Sequence, residues 1–218
     1  MARKTKAEAE LTRKKILASA LASALDLFAG KGYDKTTFID IAARLDMTKG
    51  AVYWHFESKE ALIVALVEEM FQKFERQISS IMPKDELTFT ALAETMVKNA
   101  KLLVEDAKGR AFFLLMKTQI RWGLDSMKAV REKIFMNKTF GPWHAFIAAV
   151  ENDIRSGRAR KNADPEEVAN MCVSVWDGMV QSKIDGFLRT DMCENIRHAF
   201  AAIWDWIKED KKEEEHGE

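Results

Sequence analysis

The residues from 48 to 56 carry side chains that could bind a polyanion from one short surface. They read Thr-Lys-Gly-Ala-Val-Tyr-Trp-His-Phe. The lysine, tyrosine and histidine can donate hydrogen bonds to phosphate oxygens, and the lysine can also reach a guanine. The small residues beside them would let a helix approach the edges of bases closely. The candidate nucleic-acid contacts in this run are Thr48, Lys49, Gly50, Ala51, Tyr53, Trp54 and His55.

Three helical segments would have to position this run. Apolar residues recur at three- and four-residue spacing from Ala7 to Phe28, and two glycines then stop that helix. A second, shorter pattern follows Thr36 and Thr37, which are both good helix caps. A turn separates it from the third helix, so residues 36–56 are predicted to form a helix-turn-helix unit.

The starts of the second and fourth helices add three candidate DNA contacts, which are Thr36, Thr37 and Lys59. Thr37 and Lys59 stand where backbone N–H groups are free and attract phosphate. The fourth helix is predicted to run from Ser58 to about Ile81, before Pro83. Helical spacing leaves a second interpretation open, because an exposed Tyr-Trp-His run on a short helix could instead pack against the next helix.

The segment from Thr12 to Leu66 resembles the DNA-binding domain of the TetR family of bacterial regulators. The opening Met-Ala-Arg-Lys-Thr-Lys is similar to that of the AcrR-type branch, which represses multidrug efflux pumps. The residues that carry the family resemblance are Arg13, Ile16-Leu17, Leu27-Phe28, Gly32-Tyr33, Thr36-Thr37, Ile41-Ala42, the run 49–56 and Lys59-Glu60-Ala61-Leu62.

This resemblance implies a homodimer that binds a palindromic operator with one recognition helix per half-site, and a ligand pocket inside a helical bundle. It also implies three groups of contacts: helix caps that bind phosphate, residues that read or approach bases, and residues that hold the DNA backbone. The phosphate-binding caps are Thr37 and Thr48, and the residues at the bases are Lys49, Gly50 and Ala51. The residues that hold the DNA backbone are Tyr53, His55 and Lys59. Trp54 either joins them or packs within the domain.

The first helix contains a repeated turn that departs from the family pattern. Residues 18–21 and 22–25 are both Ala-Ser-Ala-Leu. Four residues add about 6 Å of helix and about 40° of rotation, so the apolar face should be nearly preserved. Either the repeat is a tolerated variation, or it displaces phosphate contacts near Arg13 and weakens operator binding.

The rest of the chain is predicted to be helical, and the fold class is all-α because no alternating strand pattern of useful length occurs. Gly141-Pro142 should kink or break the segment in which it lies. Asp164-Pro165, followed by two glutamates, is a strong helix start. The predicted helices are 87–106, 110–124, 126–156, 165–187 and 192–210. The predicted domains are a DNA-binding domain (1–66), a ligand-binding and dimerisation domain (67–210) and a charged tail (211–218).

Eleven methionines and six tryptophans suit a cavity for hydrophobic ligands. Ordinary core packing is the alternative for any one of these side chains. The candidate pocket residues are Phe112, Met116, Gln119, Trp122, Trp143, His144, Phe146, Trp176, Asp177 and Met179. The last two helices are predicted to form the dimer face, or else to pack only within the subunit. The candidate interface residues are Val168, Met171, Val175, Ile196, Phe200 and Ile203.

The charge distribution and the absent motifs narrow the class of protein. The net charge is zero, but residues 1–60 carry 11 basic and 8 acidic side chains, so the N-terminal end is the positive one. The sequence contains no GxSxG, P-loop or Gly-rich dinucleotide motif and no pair of Glu-x-x-His motifs in its helices, so we expect neither an enzyme nor a metal or cofactor. Without a signal-peptide-like run or an 18-residue apolar stretch, a cytoplasmic protein with free thiols is expected.

These features predict a ligand-responsive transcriptional repressor of a multidrug efflux or stress operon, released from its operator by a small hydrophobic effector. Two alternatives stay open at this point. One is a transcriptional activator of the same family, and the other is a helical small-molecule-binding protein with impaired DNA binding.

Overall fold

The computed structural model describes the backbone of residues 6–80, 83, 85–136 and 141–209, and the side chains of these ranges except 6–16 and 135–136. Every regular element in these ranges is helical, apart from one isolated antiparallel bridge between Ala159 and Lys208. The all-α prediction is therefore confirmed. The predicted tail 211–218 and the side chain of Arg13 lie outside the described residues.

The helix-turn-helix region contains α1 (Lys6–Lys31), α2 (Phe38–Arg44) and α3 (Lys49–His55). Thr37 starts α2, because its hydroxyl accepts a hydrogen bond from the N–H of Asp40 while the Asp40 carboxylate accepts from the N–H of Thr37. Thr48 starts α3 by accepting from the N–H of Ala51 at 3.2 Å. Side-chain oxygens thus satisfy backbone donors that a helix start leaves without partners.

α1 continues without a break through both copies of Ala-Ser-Ala-Leu. In each copy the last two residues, Ala20-Leu21 and Ala24-Leu25, are buried, and the first two are exposed or half-buried. Consecutive copies face nearly the same side because four residues turn an α-helix only about 40° past a full turn. The prediction that the apolar face survives the repeat is therefore confirmed.

The chain divides into two compact units, residues 1–70 with 105–138 and residues 71–104 with 139–218. The sequence suggested one boundary between two continuous segments, at residues 66 and 67. In the structure the segment 105–138 belongs with the N-terminal helices, since α6 (Ala107–Leu114) packs against α1. An apolar stripe does not identify which helix it will meet, so periodicity could not predict this association.

Residues 107–136 form shorter elements than the long helices predicted there. α6 continues as a π-helical turn, Leu115–Gln119, which ends where Ile120 has an extended backbone. Short turns of different pitch keep a similar apolar spacing, so the pattern did not separate them. The elements that follow are a 3-10 turn (Asp125–Met127), α7 (Lys128–Arg131) and a second π-helical turn (Glu132–Met136).

α4 (Lys59–Ser79) is one continuous helix, and α5 (Phe89–Glu105) begins the long helices of the second unit. The others are α8 (Pro142–Arg155), α9 (Pro165–Ile184) and α10 (Met192–Ile207). The predicted break is confirmed, because α8 starts directly after Gly141. This residue has φ of 109°, and a Cβ there would lie 3.1 Å from the ring of Phe71, so both backbone and space require glycine.

A buried carboxylate joins two of these helices. Asp153, near the end of α8, accepts from the N–H of Phe89 at 2.8 Å and from Nε of Arg158 at 2.6 Å. Its neighbour Asn152 donates from Nδ2 to the carbonyl of Leu87 at 3.0 Å. The start of α5 therefore has two kinds of partner. The Thr88 hydroxyl accepts locally from the N–H of Ala91, and α8 supplies the partners of Phe89 and Leu87, which no local sequence pattern predicted.

Four of the six residues predicted for the dimer face are buried within a single chain: Val168, Ile196, Phe200 and Ile203. None of the four exposes more than 6% of its surface. Their assignment to a dimer face was wrong, because a partner could reach them only if the subunit opened. Met171 is 40% exposed, and Val175, one turn along α9, is half-buried.

Candidate nucleic-acid interface

The short helix α3 buries Val52 and leaves its opposite side to solvent. Lys49 and Gly50 are exposed, Tyr53 is 47% exposed and Trp54 is 71% exposed. Trp54 therefore lies at the surface and is not packed within the domain, and its contact with DNA stays a prediction. The second helix of a helix-turn-helix normally presents such a face to the major groove.

Two contacts hold the exposed side chains of α3 in place. The ammonium of Lys49 lies 5.4 Å from the centre of the Tyr53 ring, a cation–π distance. The same ring meets Phe38 of α2 edge to face, with centroids 4.7 Å apart. The ring of Tyr53 thus packs against the buried ring of Phe38, while part of the Tyr53 side chain remains exposed to solvent.

Thr36 does not belong to this surface. It is 1% exposed, and its hydroxyl donates to the carbonyl of Gly32 at 2.8 Å. The prediction that Thr36 contacts DNA was wrong, because a buried hydroxyl that is bonded to its own chain cannot reach a phosphate. Two adjacent threonines at a helix start look alike in sequence, and only the direction of the chain decides which one points inward.

Thr37 is exposed, but its hydroxyl also forms a hydrogen bond with the carboxylate of Asp40. The hydroxyl donates to Oδ2 of Asp40 at 2.8 Å, and Nζ of Lys31 donates to the same oxygen at 2.7 Å. The hydrogen bond from Lys31, followed by the backbone N–H of Thr37, lowers the pKa of Asp40 to about 2. The start of α2 therefore carries its own carboxylate, with which a phosphate at Thr37 would have to compete.

Lys59 and Gln119 both bind the loop between α1 and α2. Nζ of Lys59 donates to the carbonyls of Tyr33 and Asp34, at 2.9 and 3.3 Å. Oε1 of Gln119 accepts from the backbone N–H of Tyr33 at 3.0 Å. Arg121 adds an ion pair with Asp34 at 3.2 Å. The structure thus gives Lys59 and Gln119 positions that support the loop, which the sequence had not predicted.

The ring of Tyr33 packs against Phe28 of α1, with the centroids 5.2 Å apart. Tyr33 is 8% exposed, and its hydroxyl donates to Oε1 of Glu60 at 3.4 Å. Burial, and then the Glu60 carboxylate, raise the pKa of the Tyr33 phenol above its usual range. The tyrosine therefore stays protonated and acts as a hydrogen-bond donor throughout the ordinary pH range.

The ten predicted pocket residues fall into both units. The first unit holds Phe112, Met116, Gln119 and Trp122, and the second holds Trp143, His144, Phe146, Trp176, Asp177 and Met179. Phe146 is fully buried in the aromatic core with Phe89 and Phe200. The indole N–H groups have partners within the same unit: Trp122 donates to the carbonyl of Met116, Trp143 to Oδ1 of Asn170 and Trp176 to the carbonyl of Met96. The pocket stays a prediction.

A half-open cleft of about 420 Å³ lies in the first unit, between the side chains of α1, the end of α3 and α4. Its apolar lining residues include Leu17, Ala61 and Val64, and its polar lining residues include His55 and Lys133. None of the ten predicted pocket residues lines it. His55, which we predicted to hold the DNA backbone, is half-buried there.

The described ranges show no metal-binding cluster, no membrane-spanning helix and no disulfide. No group of three His, Cys, Asp or Glu side chains there could hold a metal ion. No helix among them combines the length and apolar character needed to span a bilayer. Cys172 and Cys193 are free, as predicted, and burial raises the pKa of the Cys172 thiol to about 12.

Residues 20–66 match the family model described as bacterial regulatory proteins, tetR family. The match includes α2, α3 and the second copy of the repeat in α1. The fold and the exposed α3 define a helix-turn-helix DNA-binding regulator. In this segment the chain is similar to the tetR family of bacterial regulatory proteins, so the predicted family resemblance is confirmed there.

Two curated relatives extend the comparison beyond this segment. The probable transcriptional regulator ArpR of Pseudomonas putida is 26% identical over 181 residues, which cover 83% of each chain. The transcriptional regulator AcrR of Shigella flexneri is 35% identical over 113 residues, half of each chain. Similarity to a regulator named AcrR agrees with the predicted branch.

A solved structure of SmeT in complex with triclosan has a similar fold. The TM-score is 0.71 at 21% identity, and the alignment covers 89% of this chain and 92% of SmeT. SmeT is described as the repressor of the Stenotrophomonas maltophilia multidrug efflux pump SmeDEF. At this identity the likeness establishes the architecture of both units.

Proposed function

We propose that this protein is a ligand-responsive transcriptional repressor that binds a palindromic operator as a homodimer. The observation that carries the proposal is the exposed face of α3, where Lys49, Tyr53 and Trp54 project from a helix anchored by buried Val52. Cationic and aromatic side chains on such a helix can contact phosphates, base edges and thymine methyl groups in a major groove. The family match spans this part of the chain.

The proposed mechanism is a shift between two conformations of the dimer. In the operator-bound form the two α3 helices stand about 34 Å apart, so that they enter successive major grooves. An effector must bind the other form more tightly, since a ligand with equal affinity for both shifts nothing. α4 is the proposed lever, because it starts near α3 and continues as one helix to Ser79.

A small hydrophobic effector is the proposed ligand. The support is the concentration of aromatic and methionine side chains in the candidate pocket residues, and the triclosan bound to SmeT. We further propose a multidrug efflux operon as the target, by analogy with SmeT and with AcrR-type regulators. Operator binding would place the protein in the cytoplasm with the chromosome.

Selection of bound duplexes from a random DNA library by the full chain tests this proposal. We expect a palindromic consensus whose half-sites lie about one helical turn apart. Trp54→Ala should weaken binding to that consensus, whereas Trp206→Ala, an exposed tryptophan of the second unit, should not. Hydrophobic compounds, with triclosan as the first probe, should release the selected DNA. Enrichment of no sequence would contradict the repressor proposal.

A further inference from the structure

Ile39 is an exposed isoleucine in α2 that the sequence analysis did not select. It exposes 59% of its surface. Among the described residues eight large hydrophobic side chains are exposed, and three of them, Ile39, Tyr53 and Trp54, lie within the helix-turn-helix unit. A single exposed apolar side chain is ordinary, but a cluster of them marks a binding surface. Ile39 is therefore a candidate for the same binding surface as the exposed residues of α3.

The contacts of α2 show which way Ile39 faces. Phe38, at the start of the helix, contacts the ring of Tyr53 in α3. Asp40 and Arg44 face α1, where they pair with Lys31 at 2.7 Å and Asp26 at 3.3 Å. Residue 39 follows Phe38 by about 100° around the helix, on the flank opposite the one that carries Arg44. Ile39 thus points away from α1, beside the helix that carries the proposed DNA contacts.

We propose that Ile39 contacts the C5-methyl group of a thymine in each half-site and thereby specifies that base. An isoleucine side chain offers no hydrogen bond, and the thymine methyl is the apolar group that the major groove displays. Ile39 is the large aliphatic side chain among the exposed hydrophobic residues of the helix-turn-helix unit, where the other two are Tyr53 and Trp54. This inference rests on the proposed operator binding and adds a base preference to it.

Replacement of thymine by uracil in the selected operator tests the inference, because it removes the methyl group and keeps the base pair. Each thymine is replaced in turn, and affinity is measured for wild type, Ile39→Ser and Ile39→Val. At one thymine per half-site we expect wild type to lose about fourfold in affinity, the factor that corresponds to one buried methyl group. Ile39→Val should keep most of that loss, and Ile39→Ser should bind both DNAs equally.

The control is Leu124→Ser, which removes another exposed aliphatic side chain of the same unit. It should reproduce the wild-type response at every thymine. The inference is overturned if Ile39→Ser retains the wild-type uracil profile, or if wild type responds to no thymine methyl. Both of these results leave the repressor proposal intact, whereas failure of the library selection itself would remove that proposal. Ile39→Ser should fold, since the side chain is exposed and serine and isoleucine have similar helix propensities.

Discussion

At the scale of single residues, the polar side chains of the first unit differ in whether their polar groups are already bonded within the chain or are exposed to a partner. The hydroxyl of Thr36 is buried on the carbonyl of Gly32, and the ammonium of Lys59 is directed to two carbonyls. Lys49 is exposed, and its ammonium lies beside the face of Tyr53. Lys49 is therefore the phosphate contact that we propose for α3.

Replacing Lys49 by alanine should weaken operator binding and reduce its salt dependence. A phosphate that is neutralised by one lysine releases its counterions, so the slope of log affinity against log salt should fall by about one for each subunit. Affinity measured over a salt series checks this. Lys98→Ala, an exposed lysine of α5, is the matched control and should keep the wild-type slope. An unchanged slope for Lys49→Ala would show that its ammonium does not contact a phosphate.

Asp40 should make stability depend on pH in the acid range. Its pKa is about 2 in the folded protein, below the ordinary value of 3.8, because Lys31 and Thr37 bond to the ionised form. The stabilisation is therefore fully present above about pH 4 and is lost as the pH falls through about 2. Urea midpoints of wild type and Asp40→Asn should differ at about pH 5 and converge near pH 2. A pH-independent difference would contradict this.

At the scale of elements, the repeated turn in α1 and the link between α5 and α8 show two ways to position a helix. The repeat changes length while it preserves the buried positions, Ala20-Leu21 and Ala24-Leu25. At the start of α5 the N–H of Phe89 is instead bonded by the carboxylate of Asp153 in α8. The first is a local property of the helix, and the second depends on a contact over 64 residues of sequence.

Deleting residues 22–25 should leave the protein folded and change its affinity for the operator. The helix would shorten by about 6 Å and rotate by about 40°, which moves the backbone around Arg13. If the repeat displaces a phosphate contact, the deletion should tighten binding roughly tenfold, the factor that corresponds to one charged hydrogen bond. Ser19→Ala, which keeps the length, serves as the control in the same binding assay. Equal affinities would favour a tolerated variation.

Replacing Asp153 by alanine should destabilise the protein by about 3 kcal/mol. The side chain is 1% exposed, and its removal leaves the N–H of Phe89 without its acceptor and Arg158 without its ion pair. Because Arg158 remains 47% exposed, water can solvate its charge, and the loss should stay at the lower end for a buried pair. Chemical denaturation measures the loss. Arg155→Ala, an exposed arginine on the same helix, should cost little.

At the scale of the whole molecule, the burial of the predicted dimer residues shifts the proposed interface. Met171, Val175 and Gly178 follow one face of α9 at spacings of four and three residues, and all three have exposed surface. A glycine on this face would allow two helices to approach closely. We propose that this face of α9 meets its symmetry mate in the dimer, where one surface must be complementary to itself.

Met171→Glu should therefore convert the dimer to monomers and weaken operator binding by about tenfold or more. A twofold axis near this face would bring two glutamates together, and like charges in an interface are strongly unfavourable. Analytical ultracentrifugation measures the oligomeric state. Leu102→Glu places the same charge on an exposed position of α5 and should remain dimeric. A dimeric Met171→Glu protein would exclude this face as the interface.

The sequence by itself determined the starts of three helices and the exposed face of α3. Thr37, Thr48 and Asp164 cap helices where they were predicted, because a cap bonds backbone groups only a few residues away. The exposed run in α3 was also readable, since Val52 lies on the buried side and its neighbours do not. These features depend on interactions within one or two turns of chain.

The tertiary structure alone decided which polar and apolar side chains are exposed and which are buried or bonded within the subunit. Thr36 turns inward, Gln119 bonds the loop at Tyr33, and Ile196 packs inside the subunit. A helical stripe shows that a face will be buried, but the burial is equally favourable against any apolar surface. Only the arrangement of distant segments selects that surface, and this is why the exposed face of α3 was predictable while the burial of Ile196 within the subunit was not.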